Sequence, residues 1–358
     1  MTLQPVGGHP QELLAELRRW WQRPDGPLLV RTSGSTGRPR TVQLSQQSLQ
    51  ASAVASQRRL GGPAVWVLAV PTEFVAGLAV LVRSLLAGTE PVLLAEHDGD
   101  WGAAVSTART AAATAGVDRC HTALVPTQLH RLAAAGRLAE LADLDSVLLG
   151  GAAADPGLVG AATEAGVSVV RTYGMAETCG GCVYDGVPLD GVSVRVAGDG
   201  RVEVAGPVLF DGYADDPTAT AHVTHGGWLH TEDLGRITAD GSLQVLGRAD
   251  DMVVSGGVNV SLPAVEQTLR RHRGVADVVV VGVPDDEWGA RVVAVVRPAT
   301  GGAVLTLDQL RAHVAAEHPR AWAPRGLVSV HQLPLLDNGK VDRVAALQLA
   351  RRTVDRPS

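Results

Sequence analysis

The chain has 358 residues, 46% of them hydrophobic and 19% charged, with a formal net charge of -6. That much apolar material supports a sizeable core and excludes a disordered chain, and the length suits two or three domains, or one large domain with a smaller one. The mildly acidic balance excludes a broad electrostatic footprint for nucleic acid. No apolar run approaches the roughly 20 residues that a membrane helix needs. The N-terminus lacks a basic segment followed by an apolar stretch, so a cytoplasmic location without membrane insertion is expected. Cys120, Cys179 and Cys182 are too few for a disulfide framework. Cys179 and Cys182 form a C-x-x-C with a Gly-Gly spacer, but no second pair completes a tetrahedral zinc site.

Residues 11–21 read as an amphipathic helix with Leu13, Leu14, Leu17, Trp20 and Trp21 on one face. A short strand, 28–30, runs into a segment rich in hydroxyls and glycine. Strands at 65–70 and 91–94, helices at 77–86 and 128–141, and strands at 146–149 and 167–171 follow. This alternation predicts a layered α/β sheet. From about residue 192 the texture changes to short strands at 192–196, 201–204, 236–238 and 243–246, a β-rich subdomain. Beyond 247–251, a helix at 262–271 with Pro263 in its first turn, strands at 275–283 and 291–296 and a helix at 307–316 predict a compact α+β domain.

The segment after the first strand is Thr32-Ser33-Gly34-Ser35-Thr36-Gly37-Arg38-Pro39-Arg40-Thr41-Val42. Glycine lets backbone amides turn toward a ligand, hydroxyls donate to phosphate oxygens, and arginines supply charge. A polyphosphate fits this chemistry, although the segment is not the P-loop of the common NTPases. Read alone, a flexible surface loop fits equally well.

The segment resembles the phosphate loop of the acyl-adenylate-forming superfamily, which contains acyl-CoA synthetases, peptide-synthetase adenylation domains and luciferases. The usual ending there is Pro-Lys, where this chain has Pro39-Arg40. Further motifs follow in family order. Leu149-Gly150-Gly151-Ala152-Ala153 resembles the turn bordering adenine and the acyl group. Thr172-Tyr173-Gly174-Met175-Ala176-Glu177-Thr178 resembles the central motif. Trp228 to Gly235 resembles the ribose motif, with Glu232 where glycine is usual. Gly247-Arg248-Ala249-Asp250-Asp251 resembles the hinge, Ser255-Gly256-Gly257 the turn lining the CoA channel, and Asp337-Asn338-Gly339-Lys340 the catalytic-lysine motif.

The resemblance implies an α/β fold with a large N-terminal domain of layered α/β and β-rich subdomains, residues 1–249, and a small mobile α+β domain, residues 250–358, pivoting at Asp250. It implies ATP, Mg²⁺ and coenzyme A as ligands. ATP would be held by Thr32, Ser33, Gly34, Ser35, Thr36, Gly37, Arg40, Gly151, Ala152, Thr172, Tyr173, Gly174, Met175, Thr178, Asp233 and Arg248. In that set Tyr173 stacks on adenine, Thr178 touches the α-phosphate, Asp233 accepts from the ribose hydroxyls and Arg248 reaches the ribose. Glu177 and Thr36 would bind Mg²⁺, Lys340 would be the catalytic lysine, and Ser255, Gly256 and Gly257 would line the CoA path.

Three stretches, residues 71–84, 123–129 and 179–186, most resemble the o-succinylbenzoate–CoA ligase family of menaquinone biosynthesis. That likeness implies an acyl pocket of Phe74, Gly150, Cys179 and Gly180. It also implies a buried cation for a second carboxylate, for which Arg83 in an otherwise apolar helix is the candidate; a solvent-facing Arg83 is the alternative. Many relatives have a histidine near Phe74, which this chain lacks, and only 31 residues precede the phosphate loop. A ligase for another aromatic or short acid, a carrier-loading adenylation domain and a non-catalytic nucleotide-binding module are the competing expectations. The partners expected are a small carboxylic acid, ATP and CoA, with a homodimer possible.

Overall fold

The computed structural model describes residues 6–32, 40–299, 304–336 and 341–354. Its centre is a seven-stranded sheet. The order is Val92–Leu93, Ala64–Leu68, Arg119–Leu124, Ser146–Leu149, Val169–Met175, Gly180–Tyr184 and Val187–Pro188. The first five strands run parallel, and Gly180–Tyr184 pairs antiparallel with the strands on either side of it. Parallel strands covered on both faces read as unbroken apolar runs, and Ala64–Leu68 is buried at every position. Trp66 and Leu68 pack with the helices Gln46–Arg59 and Val75–Ala87, whereas Val65 and Val67 pack with Trp101–Ala115 and Pro126–Ala134 on the other side.

The helix Pro10–Gln22 buries Leu13, Leu14, Leu17 and Trp20 and adds to the first of these cores. A small antiparallel sheet joins Leu28–Arg31, Thr41–Leu44 and Gly212–Tyr213. The β-rich part is a five-stranded sheet in which Trp228–Ile237 lies between Arg201–Ala205 and Thr224–His225 and also pairs with Leu243–Arg248. The last sheet has the order Val258–Ser261, Met252–Ser255, Gly289–Pro298 and Val275–Asp285, with Gly326–Ser329 parallel to Gly289–Pro298. Alternate residues of Val275–Asp285 face Leu262–Arg270 and Leu307–Ala315 on one side and Arg343–Val354 on the other. Two cores draw on residues 6–243 and two on residues 253–350.

Two expected elements differ. The helix expected over 128–141 is Pro126–Ala134, followed by a separate turn of 3₁₀ helix at Leu138–Leu141. Gly136 takes the left-handed conformation (φ 68°), and Arg137 N–H donates to Leu132 O at 2.8 Å. This closes the helix end as glycine past a last turn commonly does. The short strand expected at 236–238 is the tail of the ten-residue strand Trp228–Ile237, which absorbs the whole ribose-like motif.

His121 is buried on the central sheet beside Trp66, with ring centroids 5.1 Å apart, and neither ring nitrogen has a hydrogen-bond partner among the described residues. Burial pushes its pKa down from 6.5 to about 4. A depressed histidine pKa means that the unfolded chain binds the proton first. Its stabilising contribution is therefore complete above pH 6.5 and is lost as pH falls toward 4, by up to about 3 kcal/mol. His121→Phe is expected to reduce the loss of stability between pH 6.5 and 4 in denaturant titrations. An unchanged slope would contradict this assignment.

Candidate active site

The motif side chains gather at the carboxyl ends of the parallel strands, where the backbone leaves the sheet. Ser146–Leu149 ends there, and Gly150 N–H donates to Leu124 O at 3.1 Å. A Cβ on Gly150 would lie 2.3 Å from Thr172 Oγ1, so only glycine allows the turn to lie against the next strand. Gly151 and Ala152 are exposed just beyond it.

Val169–Met175 carries Thr172, Tyr173, Gly174 and Met175 and turns back through Ala176–Thr178 into Gly180–Tyr184. The pairing has a bulge between Tyr173 and Gly174, and a Cβ on Gly174 would sit 2.0 Å from Gly180 O. The two backbones are in direct contact, so the turn presenting Glu177 has little room to shift. Thr178, expected at the α-phosphate, is fully buried. Its hydroxyl donates to Gly180 O at 2.7 Å and accepts from Met175 N–H at 2.9 Å, so it braces the turn.

Asp233 and Arg248 come from the β-rich sheet, where strand pairing sets them opposite each other. The Tyr173 hydroxyl donates to Asp233 Oδ2 at 2.7 Å, and Arg248 Nη1 lies 3.6 Å from Asp233 Oδ1. Burial, with the Asp233 carboxylate beside it, raises the Tyr173 pKa well above its usual value, so the phenol stays a donor. Glu232, the departure from the ribose motif, is on the other face of the strand and pairs with Arg201 at 3.0 Å.

Glu177 is held twice by one segment. Phe210 N–H donates to Glu177 O at 2.9 Å, and the Tyr213 hydroxyl donates to Glu177 Oε1 at 2.8 Å. Arg40 lies over the Tyr213 ring, 4.8 Å from its centroid. Thr32 and Arg40 close the base of the phosphate-loop segment: Thr32 N–H donates to Arg40 O at 2.8 Å, and Arg40 N–H to Thr32 Oγ1 at 2.9 Å. Ser33, Gly34, Ser35, Thr36 and Gly37 lie outside the described residues. Tyr213 touches both Glu177 and Arg40 but has no place in the motif reading. The dipeptide Gly212-Tyr213 becomes informative only once its pairing with Gln43 and Val42 is known.

Of the residues expected around the acyl group, Phe74, Gly180 and Arg83 lie on or against the helix Val75–Ala87, whereas Gly150 lies against Thr172 and Cys179 O accepts from Ser52. Phe74 is the N-cap of Val75–Ala87, and Gly180 faces Val75 and Ala79. Cys179 and Cys182 are buried free thiols whose pKa values burial pushes up to about 12, which removes thiolate chemistry near neutrality. Arg83 follows Ala79 on the same face, one helical turn on. It is buried, its Nη2 donates to the Tyr184 hydroxyl at 3.2 Å, and its guanidinium lies 5.0 Å from the Trp66 ring centroid. The solvent-facing alternative is therefore excluded. Arg83 borders a cavity of about 10 Å³ with Gln57, Trp66 and His121, room for roughly one water molecule.

In the last sheet, Ser255 is fully buried, and Gly256 N–H donates to Trp288 O at 2.9 Å in the turn between Met252–Ser255 and Val258–Ser261. Asp250 lies in the 3₁₀ turn Ala249–Asp251 that follows Leu243–Arg248. Lys340 lies outside the described residues. Its flanks are held: Leu335 bridges Val341, and Arg343 donates to buried Glu266 at 2.9 Å and to Val280 O at 3.2 Å. Among the described residues no cluster of three His, Cys, Asp or Glu side chains could hold a metal, and no helix is long and apolar enough to cross a membrane.

Residues 18–213 match the family described as AMP-binding enzyme, and residues 264–340 match AMP-binding enzyme C-terminal domain. The chain is 45% identical over 351 residues to a Mycobacterium tuberculosis protein named "Probable 2-succinylbenzoate--CoA ligase", covering 97% of this chain and 91% of that one. It is 32% identical to a 2-succinylbenzoate–CoA ligase of Bacillus cereus, covering 80% of this chain and 63% of that protein. Among solved structures, the o-succinylbenzoate CoA synthetase of Bacillus subtilis in complex with its acyl-adenylate intermediate superposes with a TM-score of 0.75 at 26% identity. That match covers 92% of this chain and 69% of that one. ATP-bound MatB from Rhodopseudomonas palustris gives 0.77 at 26% identity, covering 92% and 68%. With matched domains in both halves and a relative aligned along nearly its whole length, the chain belongs to the AMP-binding enzyme family, as its phosphate-loop, central and ribose motifs anticipate.

Proposed function

We propose that the protein is an acid–thiol ligase that converts o-succinylbenzoate, ATP and CoA into o-succinylbenzoyl-CoA, AMP and pyrophosphate. The observation that carries this reading is the convergence of Tyr173, Glu177, Asp233 and Arg248 at one end of the sheet, in a chain 45% identical to a relative with that name.

In the first half-reaction a carboxylate oxygen of the acid attacks the α-phosphorus, and the bond to the bridging oxygen breaks to release pyrophosphate. Nucleophile and target are both anionic, so the protein's task is to place them together and offset their repulsion. Tyr173 borders the adenine, Asp233 accepts from the ribose hydroxyls, and Arg248 holds that carboxylate in place. Tyr213 occupies only one oxygen of Glu177, and the other has no hydrogen bond among the described residues. Such a free carboxylate oxygen is the hard donor that Mg²⁺ takes. Mg²⁺, when bound, supplies charge neutralisation at the phosphate oxygens. Lys340 supplies a cation to the α-phosphate as charge builds there. In the second half-reaction the CoA sulfur attacks the acyl carbonyl and AMP leaves. Residues from 250 onward pivot at Asp250, moving Lys340 away and bringing Ser255, Gly256 and Gly257 to the thiol path.

Arg83 selects the acid. A buried guanidinium without an acidic partner is costly, and among the described residues no carboxylate pairs with it. The second carboxylate of o-succinylbenzoate repays that cost. Lys340 is the only lysine in the chain, where the other cationic side chains of the Lys and Arg set are all arginine. A planar guanidinium does not substitute for a compact ammonium at a point of developing charge.

Three outcomes are expected. In a pyrophosphate-release assay o-succinylbenzoate is turned over far faster than benzoate or succinate; equal rates would contradict the assigned acid. Arg83→Met raises KM for o-succinylbenzoate by about tenfold or more, as loss of a charged hydrogen bond worth about 1.5–3 kcal/mol demands, and changes KM for a monocarboxylate little. Equal effects on both would make Arg83 structural. Acetylation of the single ε-amine abolishes adenylation in proportion to one acetyl group on Lys340, read by peptide mass spectrometry, while ATP still binds. Full activity of the Lys340-acetylated protein would remove Lys340 from the mechanism.

A further inference from the structure

Tyr213 has no place in the motif reading, yet it touches two groups that have one. Its hydroxyl donates to Glu177 Oε1 at 2.8 Å, and its ring lies 4.8 Å from the Arg40 guanidinium at the exit of the phosphate-loop segment. Three further contacts fix it. Tyr213 pairs with Val42 in the strand that begins directly after Arg40. Its N–H donates to Thr220 Oγ1 at 2.8 Å, and its ring meets Phe210 edge to face with centroids 5.1 Å apart. Phe210 in turn binds the backbone carbonyl of Glu177 at 2.9 Å. One short segment thus grips Glu177 at both main chain and side chain.

The geometry points to Tyr213 as a positioning residue for the divalent cation: it holds one carboxylate oxygen of Glu177, leaves the other for the metal, and carries Arg40 over its ring. This rests on the reading of Glu177 as the metal ligand. A hydrogen bond on one oxygen turns the carboxylate so that the other oxygen is the better donor, which suits Mg²⁺, since that ion keeps most of its waters and takes few protein ligands. Arg40 over the ring face adds a cation–π contact.

The test is Tyr213→Phe, which keeps the ring with its Phe210 and Arg40 ring contacts and removes the hydroxyl that meets Glu177 and Arg40. Mn²⁺ binding is read by the loss of free-ion EPR signal in the presence of α,β-methylene-ATP, with Glu177→Gln as the reference. Partners that orient metal ligands typically govern 10- to 100-fold in affinity, so Tyr213→Phe is expected to weaken Mn²⁺ binding by about tenfold. Its rate is expected to recover toward wild type at high Mg²⁺, with KM for the acid unchanged. Unchanged Mn²⁺ affinity in Tyr213→Phe with weakened affinity in Glu177→Gln would overturn the proposal. Unchanged affinity in both would overturn the reading of Glu177 on which it rests. Weakened affinity with a rate that high Mg²⁺ does not restore would show a general loss of structure and also overturn it.

Discussion

The Asp233 carboxylate ties together the parts of the molecule that a nucleotide must see at once. It is 8% exposed, and a carboxylate so placed is stable only with partners. Those partners come from different layers: the Tyr173 hydroxyl from the central sheet and the Arg248 guanidinium from the neighbouring strand of the β-rich sheet. The carboxylate therefore sets one sheet against the other at the point where the chain passes into residues 249–251. The proposed pivot begins next to the residue that would hold the ribose. On that account, nucleotide binding and movement of the last hundred or so residues are coupled through one short strand.

A second linkage runs through Glu177. The close contact between Gly174 and Gly180 fixes the turn that carries it, while Phe210 and Tyr213 fix its backbone and its carboxylate. Positioning is the dominant demand for a reaction between two anions, because no side-chain nucleophile is needed. The acid supplies the attacking oxygen and the protein supplies geometry and charge. The buried thiols Cys179 and Cys182 fit that division: they fill space beside the strand and, with pKa values near 12, contribute no nucleophile.

Much of this was legible in the sequence because the chemistry sits where the sheet ends. Residues 65–70 and 146–149 are buried on both faces and so read as apolar runs. Gly150 and Gly174 mark close approaches that only glycine allows. The helix Gln46–Arg59 escaped notice because its buried face carries Ser48, Ser52 and Ser56. Their hydroxyls are consumed by Ser45 O, Cys179 O and Tyr184, so a polar pattern covers a core face. Tyr213 escaped for a different reason: its partners lie 36 residues back at Glu177 and at the far end of the chain at Arg40. Only strand pairing joins them. The place of Thr178 also needed coordinates, since nothing in the motif says that its hydroxyl is spent on the turn.

Tyr173, Glu177, Asp233 and Arg248 are proposed to hold the nucleotide while one acyl-adenylate of a dicarboxylic aromatic acid is made and consumed. Mass spectrometry of the mixture formed from the protein with ATP, Mg²⁺, CoA and o-succinylbenzoate tests it most directly. The expected products are o-succinylbenzoyl-AMP when CoA is withheld and o-succinylbenzoyl-CoA with stoichiometric AMP when it is present. Absence of both products, with ATP bound and intact, would contradict it.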